Sequence, residues 1–133
     1  MKIINGRKED LEIIKDISSI SLKSVLPMKH FEKYLDNTIV AVEKNRIVGF
    51  LTSKKECVMN FAIHPDFRKK GIGEKLIQEL MKKYKIIRLR TRENNKNAID
   101  FLNKLGFKEK RKIEQYYSNC DNAIEMEWNN HSI

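Results

Sequence analysis

The chain has 133 residues, 41% hydrophobic and 34% charged, with 27 Lys and Arg against 18 Asp and Glu for a net charge of +9. That length supports one core, so residues 1–133 are expected to form one domain, and no apolar run nears the ~20 residues of a membrane-spanning helix. Cys57, Cys120, His30, His64 and His131 show neither disulfide-scaffold nor zinc-ligand spacing, and residues 1–6 lack a secretory apolar core, so the chain reads as cytoplasmic and metal-free.

Residues 2–4 predict a short first strand. Across residues 7–22, Leu11, Ile13, Ile14, Ile17 and Ile20 recur at helical spacing. Pro27 interrupts, and residues 28–35 read as a second helix with Met28, Phe31 and Leu35 on one side. Residues 39–42 and 47–51 form a predicted hairpin of buried strands about Glu43-Lys44-Asn45-Arg46. Lys54-Lys55 turns into a third buried run, begun by Glu56 and spanning residues 57–63, in which Cys57 is expected to be buried. His64-Pro65-Asp66 ends that run, because proline cannot donate to a ladder.

Ile72, Leu76, Ile77, Leu80 and Met81 then mark one face of a helix. Residues 86–91 alternate as a strand. Residues 95–105 form a helix with Ala98, Leu102 and Leu105 on one face, closed by Gly106 as a left-handed cap. Residues 107–117 read as a long polar strand, and residues 123–128 alternate Ile124, Met126 and Trp128 against Glu125 and Glu127. A meander followed by strand–helix units predicts an α/β (α+β) fold. Its mixed, mostly antiparallel central sheet has about six to seven strands and about four flanking helices.

The stretch that demands a ligand is Arg68-Lys69-Lys70-Gly71-Ile72-Gly73, at the mouth of a helix. A helix start leaves backbone N–H groups unpaired and carries partial positive charge. Gly71 and Gly73 lack a Cβ, so an anion can approach closely. Three basic side chains complete a phosphate cradle. The dinucleotide fingerprint is excluded because Leu76 stands where its third glycine belongs. The nucleoside-triphosphate loop is excluded because no Gly-Lys-Ser/Thr run exists.

The run Phe61-Ala62-Ile63-His64-Pro65-Asp66-Phe67 and the cradle after it resemble the acyl-CoA-binding motif of the GCN5-related N-acetyltransferases, Arg/Gln-x-x-Gly-x-Gly/Ala. Asn95-Lys96-Asn97-Ala98-Ile99-Asp100-Phe101-Leu102-Asn103-Lys104-Leu105-Gly106-Phe107 is similar to a second segment of that family. The resemblance implies that backbone N–H groups of Lys69, Lys70, Gly71, Ile72, Gly73 and Glu74 hold the coenzyme A pyrophosphate, with Arg68 and Lys70 assisting. The pantetheine arm would pair with the strand at Phe61, Ala62 and Ile63, and Asn95 would contact it. Acetyl-CoA is the implied cosubstrate.

The implied reaction is direct acetyl transfer to an amine in a ternary complex. It needs a base for the ammonium proton, an oxyanion donor, which the resemblance places at a backbone N–H near Ile63, and an acid for the thiolate. The tyrosine that usually supplies the acid is replaced by Leu102. Tyr116 and Tyr117, on the expected later strand, are substitute acids. Glu56 is a candidate base, and Asn60 a residue that could hold water or substrate. His64 reads as structural.

Three functions follow. The first is an N-acetyltransferase acting on an amine of a small molecule, peptide or protein. The second is a non-catalytic acyl-CoA-binding sensor, motivated by Leu102. The third is a nucleic-acid binder, motivated by the charge, against which stands the lack of an aromatic platform or helix-turn-helix signature. The assembly is expected to be a monomer or homodimer with no membrane partner.

Overall fold

The computed structural model describes residues 1–21 and 26–130. The expected helix end at Leu22 and the histidine at position 131 lie outside them. The described chain builds one seven-stranded sheet in the order β1-β2-β3-β4-β5-β7-β6. Its strands are β1 (Lys2–Asn5), β2 (Thr38–Glu43), β3 (Arg46–Lys54), β4 (Cys57–Ile63), β5 (Ile86–Arg92), β6 (Lys108–Ile113) and β7 (Ala123–Asn129). Only the β4–β5 pair is parallel. The helices are α1 (Leu11–Ser21), α2 (Met28–Lys33), α3 (Ile72–Met81) and α4 (Lys96–Lys104).

The first half folds as local chemistry dictates. Lys44 and Asn45 both take left-handed φ, 49° and 65°, the two-residue turn whose twist suits a hairpin. The first helix starts later than expected: Lys8–Asp10 is a 3-10 turn, and Asp10 accepts from the Arg7 backbone and guanidinium. In α1, Leu11, Ile14 and Ile17 are buried while Ile13 and Ile20 face outward. The second helix stops at Lys33, and Leu35 opens a 3-10 turn instead.

Two cores cover the sheet. Helices α1 and α2 pack Leu11, Ile14, Ile17 and Phe31 against Val40, Phe50 and Ala62. On the other face α3 presents Ile72, Leu76, Ile77 and Leu80, and α4 adds Leu102, over Leu51, Ile87, Leu89 and Met126. Gly106 closes α4 with φ 100°, as expected. The last strand alternates as expected too, with Ile124 and Met126 buried.

Two expectations fail in instructive places. Cys57 is exposed, because it opens β4 at the end of the strand rather than under a helix. The long polar strand stops at Ile113, so Tyr116 and Tyr117 lie in the β6–β7 loop and not on a strand. Gln115 turns the chain there with φ 50°.

Candidate active site

The sheet is split where β4 and β5 run parallel. β4 and β5 pair at Cys57↔Arg88 and Val58↔Leu89 and nowhere beyond. A bulge explains the parting. Thr52 and Ser53 are consecutive on β3, yet they face Asn60 and Val58, so Met59 is the extra residue. Bulges bend a strand and increase its twist. From Met59 onward β4 therefore leaves one backbone edge without a strand partner, and four of its seven residues are only half-buried between Val58 and Phe61. A cavity of about 330 Å³ fills the gap, walled by Met59, Phe61, Arg90, Asn95, Leu102 and Tyr117 among others. A second cavity, about 350 Å³, shares Val58, Met59, Arg90 and Tyr117 and reaches Cys57, Arg88, Tyr116 and Glu125.

The basic glycine loop lies past the end of β4. His64 caps the 3-10 turn Pro65–Phe67, its Nδ1 accepting the Asp66 N–H at 3.1 Å, so its imidazole has the structural task expected of it. Lys69 (φ 63°) and Gly71 (φ 78°) are both left-handed. Gly71 then serves as N-cap of α3, whose first bond runs from the Lys75 N–H to the Gly71 carbonyl at 3.2 Å. The N–H groups of residues 69–74 make no hydrogen bond among the described residues. The two glycines differ. A Cβ on Gly71 would meet open space, whereas one on Gly73 would lie 3.0 Å from the Phe61 ring and 3.4 Å from Phe101. Gly73 thus lets α3 approach β4, and Gly71 leaves space over the loop. Arg68 folds back, Nε donating to the Ile63 carbonyl at 3.3 Å.

Asn95 sits at the N-cap of α4, where its Oδ1 accepts the Ala98 N–H at 3.2 Å. It lines the cavity, and its amide NH2 makes no hydrogen bond among the described residues. Leu102 is buried on the same wall, confirming that no hydroxyl is offered from that helix position.

The remaining candidates separate. Glu56 lies in the turn before β4 and is bound by Arg88 Nη1 at 3.0 Å, which occupies the carboxylate. Tyr117 walls both cavities, with the Arg92 guanidinium 4.0 Å from its ring centre. Burial pushes its phenol pKa up, against the opposing pull of Arg92, so it holds its proton through the neutral range. Tyr116 is more exposed and accepts from Arg90 Nη1 at 3.3 Å. Glu125, between Arg111 and Arg90, is held below the usual carboxylate range by those hydrogen bonds. Asn60 places its Oδ1, an acceptor, 2.6 Å from His30 Nε2 on α2.

Sequence reasoning missed His30, Arg90 and Arg92. No short-range spacing links His30 to Asn60. For the arginines a signal existed: their alternation along residues 86–92 put three of them on the sheet face opposite α4. Among the described residues no group of three His, Cys, Asp or Glu side chains could hold a metal, and no helix is long and apolar enough to cross a membrane.

The model of the acetyltransferase (GNAT) domain family matches residues 35–109. The chain belongs to the GNAT acetyltransferase family. Membership carries the activity class, acetyl-CoA-dependent N-acetyl transfer. An N-alpha-acetyltransferase of Sulfurisphaera tokodaii is 28% identical over 94% of this chain and 90% of its own length. Ard1 of Thermoplasma volcanium superposes with a TM-score of 0.86 at 24% identity, covering 95% of each chain. Arabidopsis thaliana NAA60 in complex with acetyl-CoA superposes with a TM-score of 0.88 at 17% identity, covering 96% of this chain and 98% of that one. At such identities the two structures speak for the GNAT fold.

Proposed function

We propose that this GNAT domain, residues 1–133, transfers the acetyl group of acetyl-CoA to the α-amine of a peptide or protein in a ternary complex. The observation that carries the reading is the parting of β4 from β5 beside the unpaired N–H groups of residues 69–74. A pyrophosphate fits those N–H groups at the positive end of α3, with Arg68, Lys69 and Lys70 adding charge. From there a pantetheine arm reaches the free edge of β4 at Phe61, Ala62 and Ile63, and Asn95 meets it from α4. Ile72, Gly73 and Glu74 supply the last N–H groups of the cradle. The α-amine rather than another amine is supported by the relatives, which act as N-alpha-acetyltransferases.

The chemistry then balances within the cleft. The acceptor ammonium gives a proton to water. Its nitrogen attacks the thioester carbonyl, a C–N bond forms, and the oxyanion accepts from a backbone N–H near Ile63. As the nitrogen sheds its second proton to water the C–S bond breaks, and the thiolate takes a proton from Tyr117, which is protonated at neutral pH. The resulting phenolate is reprotonated from solvent, leaving the N-acetylated acceptor and coenzyme A. Glu56 is set aside as base because Arg88 occupies it, and Tyr116 serves as a wall. The reaction belongs in the cytoplasm, where acetyl-CoA and new N-termini meet, with the chain acting as monomer or homodimer.

Calorimetric titration with acetyl-CoA at two salt concentrations tests the cradle. One-to-one binding that weakens moderately with salt is expected; no binding at near-physiological salt would overturn the reading.

A further inference from the structure

A row of polar side chains crosses the sheet beneath α2. Thr38, Thr52 and Asn60 are in register on β2, β3 and β4. Thr38 and Thr52 are buried, at 4% and 2% exposure, and share a 2.7 Å hydroxyl bond, while Thr38 also donates to the Tyr34 carbonyl at 2.9 Å. Buried polar groups in a strand core cost stability unless paired, and here they are paired up to the row's end. That end is Asn60, which walls the cleft and is bound by His30 of α2. His30 is itself wedged between the rings of Phe31 and Tyr34, with centroids 5.4 Å and 5.1 Å away. Its Nδ1 makes no hydrogen bond among the described residues.

The pairing has a directional consequence. With its proton on Nε2, His30 donates to Asn60 Oδ1 across 2.6 Å, and in that tautomer the carboxamide is held with its Nδ2 turned away from the ring. Its Nδ2–H groups are then fixed as donors, and no protein acceptor takes them among the described residues. A fixed N–H donor on a cleft wall recognises a carbonyl oxygen. An α-amine always carries one on its own residue, where the carbonyl carbon is two bonds from the nitrogen. A lysine ε-amine does not.

We propose that His30 is a positioning residue that locks Asn60 to receive the first carbonyl of the acceptor, so that the site selects α-amines over side-chain amines. The inference rests on the acetyl-transfer reading above and adds the device that chooses the amine. His30 lies outside the cofactor loop and outside the cavity wall that Asn60 shares with Phe61 and Asn95, so its substitution should leave cofactor binding intact.

The test compares two acceptors, a short peptide with a free α-amine and an α-blocked peptide with a free lysine. The wild type is compared with His30→Phe, His30→Gln, Asn60→Ala and the double variant His30→Phe/Asn60→Ala. His30→Phe keeps the ring that packs on Phe31 and Tyr34 but removes the donor. It should raise KM for the α-amine peptide about tenfold, the effect of one lost hydrogen bond, with the acetyl-CoA dissociation constant unchanged. His30→Gln restores a donor and should recover most of that loss. The double variant should be no worse than Asn60→Ala, and the preference over the lysine peptide should shrink in step. An active wild type with His30→Phe at wild-type KM and preference would overturn the inference alone. A wild type that binds acetyl-CoA yet acetylates neither peptide would overturn it together with the transfer reading.

Discussion

Gly71 and Gly73 stand two residues apart and meet different physical demands. Gly71 has φ 78° and open space above it, so a valine there is strained by roughly 1–2 kcal/mol and its bulk lies over unpaired N–H groups. Gly71→Val is expected to stay folded, with that modest loss in urea unfolding, while acetyl-CoA affinity in calorimetry falls at least tenfold. Ser18 offers the opposite case. Its hydroxyl is buried at 1% exposure without a hydrogen-bond partner among the described residues. Ser18→Ala removes an unsatisfied group and improves helix propensity, and should raise stability by about 1 kcal/mol in the same unfolding measurement. Tyr117→Phe deletes the proton that the cleft holds ready. The expected result is a fall in kcat of about tenfold or more with the KM for acetyl-CoA unchanged. Because burial raises the Tyr117 pKa, the wild-type rate should show no alkaline loss from this group below about pH 10.

Elements were legible wherever one face is buried and the other wet. Residues 72–81 and 123–129 carry that pattern in the sequence and adopt it in the fold. Strand β6 has no such pattern: five of its six residues are exposed, so nothing apolar marks where strand gives way to loop. The sequence pattern therefore runs the strand on through Tyr116 and Tyr117, which lie in the loop. What fixes them is long-range, Arg90 and Arg92 reaching across from β5. The face of β5, β7 and β6 opposite α4 is accordingly ionic, with Arg88, Arg90 and Arg111 on Glu125 and Glu127. The folded pKa of Glu125 lies below its unfolded value, so its charged form favours the fold. That stabilisation is complete above the ordinary carboxylate range of about 4.3 and disappears as pH falls through the folded value. Its arginine partners are well exposed, which screens the pairs. Glu125→Gln should therefore cost only about 1 kcal/mol at pH 7, and the gap from wild type should close in unfolding titrations below about pH 4.

At the scale of the whole molecule, the cradle was legible because its chemistry is local: three basic residues, two glycines and a helix start are contiguous. The cleft was not, because it arises from a strand pair that stops after two residues at a bulge, and no composition announces a bulge. Asn60 is named in the sequence as a residue that could hold substrate, but its pairing with His30, 30 positions away, is not. The net charge of +9 is spread over cradle, helices and edge strand, and its clearest local use is at residues 68–70.

Transfer of an acetyl group to an α-amine in the cleft can be read directly from the product. Purified protein is mixed with acetyl-CoA and a peptide bearing both a free N-terminus and an internal lysine, and the product is mapped by mass spectrometry. One acetyl group, on the N-terminal nitrogen, is expected. Acetyl-CoA bound in the protein with the peptide unmodified, or modified on lysine alone, would contradict it.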